Sequence, residues 1–312
     1  MREVSPETPE QRARRNSLVK RVRLDRHVRS SALEIVKRVV LGVYSDGFIH
    51  AGNFAYLALF SLFPFFIVSA AIGRLLGSTD EGLRSVGAFL HTLPAGVAGV
   101  LAKPIGDVLA ARSGSLLWLG AIVGLWTTAS FIETIRDILR RAYGTTFSRP
   151  FWHYRLTSIA LIIASVMVAM AAFSAQVLIT GILEFIDRMV PLGSDAPYAV
   201  KLSRLVPGIA LFGALYMLFY SLTPAKYRYG SCPKWPGALF VATWWVSVTA
   251  ALPIVLARLG SYDLTYGSLA GVVIALFFFW IIGFGLVIGA HLNAALAETP
   301  EDDLKSAAQA QE

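Results

Sequence analysis

The chain holds a single cysteine, Cys232, in 312 residues, which excludes a disulfide framework and any site built on several thiolates. Charge is scarce as well. Asp, Glu, Lys and Arg make up 15% of the residues against 55% hydrophobic ones, too few to clothe a large soluble domain. The five histidines, His27, His50, His91, His153 and His291, are scattered, no grouping with Asp or Glu has metal-ligand spacing, and no phosphate-binding glycine loop occurs. The residues thus give no signature of an enzyme, a cofactor or a metal. A short apolar leader ending in a small-residue cleavage site is also lacking, so the first long apolar segment is expected to act as an uncleaved anchor.

What the chain has instead is six long stretches without Asp, Glu, Lys or Arg: 47–73, 113–132, 156–183, 205–225, 235–257 and 264–297. A helix rises about 1.5 Å per residue, so roughly 20 apolar residues cross the hydrocarbon core of a bilayer. Backbone amides in lipid must pair within their own segment, and these runs are too long and too evenly apolar for barrel strands. The fold class that follows is all-α: a polytopic membrane helical bundle of six transmembrane helices, with amphipathic helices at its N-terminal side and in an outer loop.

Charge sets the expected orientation. If the first run leaves the cytoplasm, 20 Lys and Arg fall on the cytoplasmic side and 8 on the other, so the positive-inside rule places both termini in the cytoplasm of a cell inner membrane protein. The net charge of +8 is then a matter of topology and of anionic lipid headgroups at the N-terminal basic segment rather than of nucleic acid. Membrane lipids are the expected partners, no nucleic acid is expected, and homo-oligomerisation is left open.

Residues 1–30 are rich in Arg, Glu, Gln, Ser and Pro, a composition expected to be a disordered basic cytoplasmic tail. The six-span domain covers 31–297, and 298–312 form an acidic cytoplasmic tail. Ser31 with Glu34 three residues later reads as a capping box opening an interfacial helix on the inner leaflet, with Leu33, Val36, Val40 and Tyr44 on one face. The charge-free stretch 85–102 is interrupted by Pro94 and Gly96 and reads as two amphipathic helices outside, and 183–201 as a second outer connection. Phe60-Ser-Leu-Phe-Pro64 resembles Tyr220-Ser-Leu-Thr-Pro224, a short match of the kind an inverted repeat would leave.

Polar residues inside apolar runs must face protein or water, so they are the candidates for function. In the first run Asn53, Tyr56 and Pro64 share roughly one helical face, and Pro64 frees a backbone carbonyl. At the inner end of the second run Glu133, Arg136, Asp137 and Arg140 stand at i+3 and i+4 spacings, able to pair among themselves or to form a gate. His291 and Asn293 close the sixth run. Each has a plainer alternative: helix contacts for Asn53, packing for Pro64 and His291, snorkelling with salt bridging for Glu133.

His50-Ala-Gly-Asn-Phe-Ala-Tyr-Leu-Ala-Leu-Phe-Ser-Leu-Phe-Pro64, Tyr220-Ser-Leu-Thr-Pro224, Trp235-Pro-Gly-Ala238, Tyr266-Gly-Ser-Leu269 and Gly289-Ala-His-Leu-Asn-Ala294 together resemble the YihY/BrkB family of bacterial inner-membrane proteins. The resemblance covers about 33–297 and implies six spans with cytoplasmic termini, in a family that has carried the labels ribonuclease BN and virulence factor. His291 stands where the family pattern commonly has Glu, which removes an acidic role at that position. A transporter-like protein passing small molecules or lipids would be expected to line a central cavity with Asn53, Tyr56 and Glu133. A membrane scaffold or envelope-integrity factor would need no cavity, and nothing in the residues supports a nuclease.

Overall fold

The structure is a computed structural model that describes residues 8–9, 32–75, 97–99, 101–102, 106, 114–146, 150–165, 167, 206–229, 232–259 and 269–297. All regular structure among the described residues is helical: α1 (Ala32–Leu75), α2 (Gly114–Tyr143), α3 (151–165), α4 (Val206–Leu222), the single turn α5 (Ala225–Arg228), α6 (Trp235–Leu259) and α7 (Ala270–Leu296). Most of the N-terminal tail, the C-terminal tail, most of the two connections expected to be outer and the second half of the third run lie outside the described residues.

α7 is the hub, packing against α1, α2 and α6, while α4 packs on α6 and α1 on α2. Its pattern explains why. Phe278, Phe279, Ile282, Leu286 and Val287 are buried in the shared core, and Gly283, Gly285 and Gly289 sit directly against Phe54 of α1 and Trp244 and Val241 of α6. Small residues that let neighbouring backbones close in are how apolar helices associate where lipid removes the hydrophobic drive. Val97 and Leu101, from the described part of the connection between α1 and α2, join the same core.

The outside of the bundle carries many large apolar side chains. Ile49, Tyr56 and Phe60 on α1, Ile122 and Val123 on α2, and Val246 and Ile254 on α6 are all exposed. Large apolar side chains exposed in this number mark a surface meant for something other than water. α6 and α7 are each long and apolar enough to cross a membrane. Three hydroxyls within α2 are consumed locally, Thr127 donating to the Val123 carbonyl at 2.9 Å, Ser130 to Trp126 at 3.3 Å and Thr134 to Ser130 at 3.1 Å, whereas the Thr128 hydroxyl is buried without a hydrogen-bond partner.

The capping-box segment and the first apolar run, expected as two helices, form one. α1 is continuous over 44 residues, a length of about 66 Å against a hydrocarbon core of about 30 Å. No proline separates Tyr44 from Gly47, and Gly42 and Gly47 lie against His291 and Phe284 of α7, so the helix is carried through by tertiary packing. Glu34 pairs with Arg38 on one side, while Leu33, Val36, Val40 and Tyr44 are exposed on the other. Of the expected tail, Thr8 and Pro9 are described and buried, with Thr8 against Gly144.

Candidate functional site

The charged ends of α2, α3 and α4 meet around one cavity. α2 ends because Gly144 takes φ 74°, a left-handed conformation cheap only for glycine, and the chain then closes a Schellman turn: Gly144 N–H donates to the Arg141 carbonyl at 3.0 Å and Thr145 N–H to Arg140 at 2.9 Å. α4 ends at Leu222 because Pro224 cannot continue it. Its loose carbonyls are collected by Arg228, whose guanidinium donates to the carbonyls of Ser221 and, at 3.2 Å, Thr223. Lys234 in turn donates to the Arg228 carbonyl at 2.8 Å. Burial holds the Lys234 ammonium below the ordinary lysine range, with Cys232 opposing and Arg228 adding to the shift.

Between these termini lies a cavity of about 710 Å³, walled by Arg136 and Arg140 of α2, by Tyr154, Thr157, Ala160, Leu161 and Ala164 of α3, and by the Ser221–Arg228 turn. Four cations, Arg136, Arg140, Lys226 and Arg228, border it, and none of its described lining residues is Asp or Glu. Arg136 donates to the Tyr154 carbonyl at 3.3 Å and lies 5.2 Å from the centre of that ring.

The carboxylates nearby are turned to other work. Asp137 accepts from Arg141 at 3.0 Å and from Arg140 at 3.4 Å. Glu133 forms its ion pair at 3.2 Å with Arg155 of α3, while Arg136 feels its charge without an ion-pair contact. Arg155 is buried, donates to Ser130 Oγ at 3.0 Å and to the Trp126 carbonyl, and lies 3.9 Å from the centre of the Trp126 ring. It therefore clamps α3 across two turns of α2 and accounts for the acid at the end of an apolar run. Sequence spacing counted Arg155 as a loop charge, because a partner on a different helix leaves no periodic trace.

The other expected site residues fall elsewhere. Asn53 and Tyr56 lie on the exposed face of α1, where Tyr56 stacks on Phe60 at 5.9 Å, and neither they nor Glu133 line the cavity at the cationic ends. The helix alternation decides this: Phe54, Ala55 and Ala58 take the core-facing positions of α1. Pro64 lies within α1, whose helix continues through it, and its side chain lies outside the described residues.

His291 is buried against Gly42 of α1, a packing position. Asn293, fully buried, is a tertiary cap: its Oδ1 accepts from Gly237 N–H at 2.7 Å in the first turn of α6, and its Nδ2 donates to the Lys234 carbonyl at 3.1 Å. A Cβ on Gly237 would collide with the Gly289 carbonyl and the Asn293 amide, so the Trp235-Pro-Gly segment is what admits that side chain. Among the described residues no three His, Cys, Asp or Glu side chains are grouped to hold a metal.

The chain is 28% identical over 258 residues to a ribonuclease-like protein, YfkH, of Bacillus subtilis, covering 80% of this chain and 90% of that one. It is 22% identical over 267 residues to a UPF0761 membrane protein of Pseudoalteromonas translucida, covering 82% and 85%, and 22% identical over 250 residues to one of Aromatoleum aromaticum, covering 79% and 59%. No solved structure matches. The virulence factor BrkB family matches residues 45–312, the whole of the helical bundle beyond the start of α1, and the chain is a membrane protein belonging to that family.

Proposed function

We propose that the chain is a transporter-like protein of the inner membrane, crossing it six times with both termini in the cytoplasm, and that it receives its cargo in the cationic cavity. The six spans are α1, α2, the run that begins in α3, α4, α6 and α7. The charge bias supports the orientation: α2, α3, α4 and α6 bring Arg136, Arg140, Arg155, Arg228 and Lys234 to one end. Trp126, Phe151 and Trp152, exposed and in ring contact beside Arg155, have the composition of a membrane-interface belt.

The observation that carries the reading is the cavity itself, a recess with a cationic rim reaching from the charged helix ends down the apolar face of α3. A dry, fully packed bundle would have favoured a scaffold. The ribonuclease-like name belongs to the Bacillus subtilis relative, and the cationic lining without carboxylates gives no support to hydrolysis here. Leaflet exchange tests the proposal: proteoliposomes of the full chain holding fluorescent phospholipid are treated with an outside quencher. Protein-dependent loss of the protected signal is expected for lipid passage, and a signal equal to that of empty liposomes, for both zwitterionic and anionic lipid and for an entrapped small anion, returns the scaffold reading.

A further inference from the structure

The geometry points to a binding site for a phosphate-bearing anion in the cavity between α2, α3 and the α4–α5 turn. Arg136 and Arg140 approach from one helix and Lys226 and Arg228 from a turn remote in sequence, so the fold brings together cations that no local pattern requires to meet. The hydrogen-bond acceptors of Arg136 and Arg228 are neutral carbonyls, of Tyr154 in one case and of Ser221 and Thr223 in the other, which leaves the charge of each guanidinium uncompensated by those bonds. Arg228 Nε is buried without a hydrogen-bond partner.

The two carboxylates in the neighbourhood form their ion pairs with Arg140, Arg141 and Arg155, although the Glu133 charge also acts on Arg136. Guanidiniums beside the Thr145 hydroxyl, which is buried without a hydrogen-bond partner, match the several acceptor oxygens of a phosphate group, while the Thr157 and Ser221 hydroxyls are spent on helix carbonyls. Ala160, Leu161 and Ala164 continue the wall as an apolar strip along α3, which suits an acyl-bearing phosphate and is indifferent to a small soluble one. The site is distinct from the basic N-terminal segment, whose attraction for headgroups is one of net charge. It assigns a ligand class to the cavity on which the transport reading rests, yet binding and passage can fail separately.

The test is native mass spectrometry of the full chain in neutral detergent, titrated with phosphatidylglycerol and with phosphatidylcholine, followed by addition of inorganic phosphate against chloride at equal ionic strength. Phosphatidylglycerol is expected to be retained over phosphatidylcholine, and Arg136→Gln with Lys226→Gln to weaken it by about tenfold or more, since hydrogen bonds to charged groups carry most of such an affinity. Lys37→Gln, a basic residue of α1 outside the cavity lining, should leave retention unchanged. Displacement by inorganic phosphate but not chloride identifies a soluble phosphate as the source, and resistance to it identifies the lipid headgroup; either supports the site.

Equal retention of the two lipids with no phosphate binding, or equal loss in Lys37→Gln and in the cavity variant, overturns it. Arg228 is left intact because it also caps α4, and Lys226→Gln alone, at an exposed position, supplies the variant that keeps the fold. Binding retained with no leaflet exchange would remove the transport reading and leave this site standing.

Discussion

Asn293 is a single amide that answers for two backbone groups, one at each side of the start of α6. Asn293→Leu leaves the Gly237 N–H and the Lys234 carbonyl to compete for poorer partners in a buried place, at a cost of about 1–3 kcal/mol. Thermal unfolding of the purified chain in detergent should show the loss, and an unchanged midpoint would mean that water reaches the α6 start. Arg155 carries a heavier duty, because Arg155→Ala strands Glu133 as well as the Trp126 carbonyl. Breaking a buried pair from one side costs about 3 kcal/mol, somewhat less here because Glu133 keeps 24% exposure. The double variant Arg155→Ala with Glu133→Gln should recover part of that stability, whereas Arg136→Ala should unfold close to the parent temperature. Equal effects of Arg155→Ala and Arg136→Ala would contradict the clamp.

At the scale of elements, runs without charge translated directly into helices where a breaker residue closed them. The run 235–257 became α6, and 205–225 became α4, stopped by Pro224. The two Ser-Leu-x-Pro fragments behave differently, since α1 continues through Pro64 and α4 does not continue through Pro224, so their likeness does not extend to the backbone. The join of the capping-box segment to the first run was hidden, because it depends on Gly42 and Gly47 meeting α7, which lies near the other end of the chain. Functional geometry was hidden for the same reason: the cavity gathers residues from α2, α3 and the α4–α5 turn, whereas spacing sees only one helix at a time.

Gly289→Leu should wedge α6 from α7, because a side chain there meets Val241 and the Gly237 carbonyl, and should lower the unfolding midpoint more than Gly208→Leu, which faces open space. Leu33→Asp with Val36→Asp should raise the water exposure of a fluorophore placed near the start of α1, since both side chains belong to its exposed apolar stripe. An unaltered fluorophore signal would mean that this part of α1 stands clear of lipid.

For the whole molecule, an apolar exterior surrounds a hub helix, and cations collect at one end around a recess. The scarcity of charge made the membrane location legible from the residues, and membership of the BrkB family agrees with it. The central proposal is that the recess opens to the cytoplasm. Cys232 is the only cysteine, so a Cys232→Ser chain carrying Ala160→Cys, an exposed cavity-wall position, reports on that wall alone. A membrane-impermeant maleimide should modify Ala160→Cys in inside-out vesicles and leave it unmodified in intact cells, and labelling from outside in intact cells would contradict the proposed orientation and the cytoplasmic recess together.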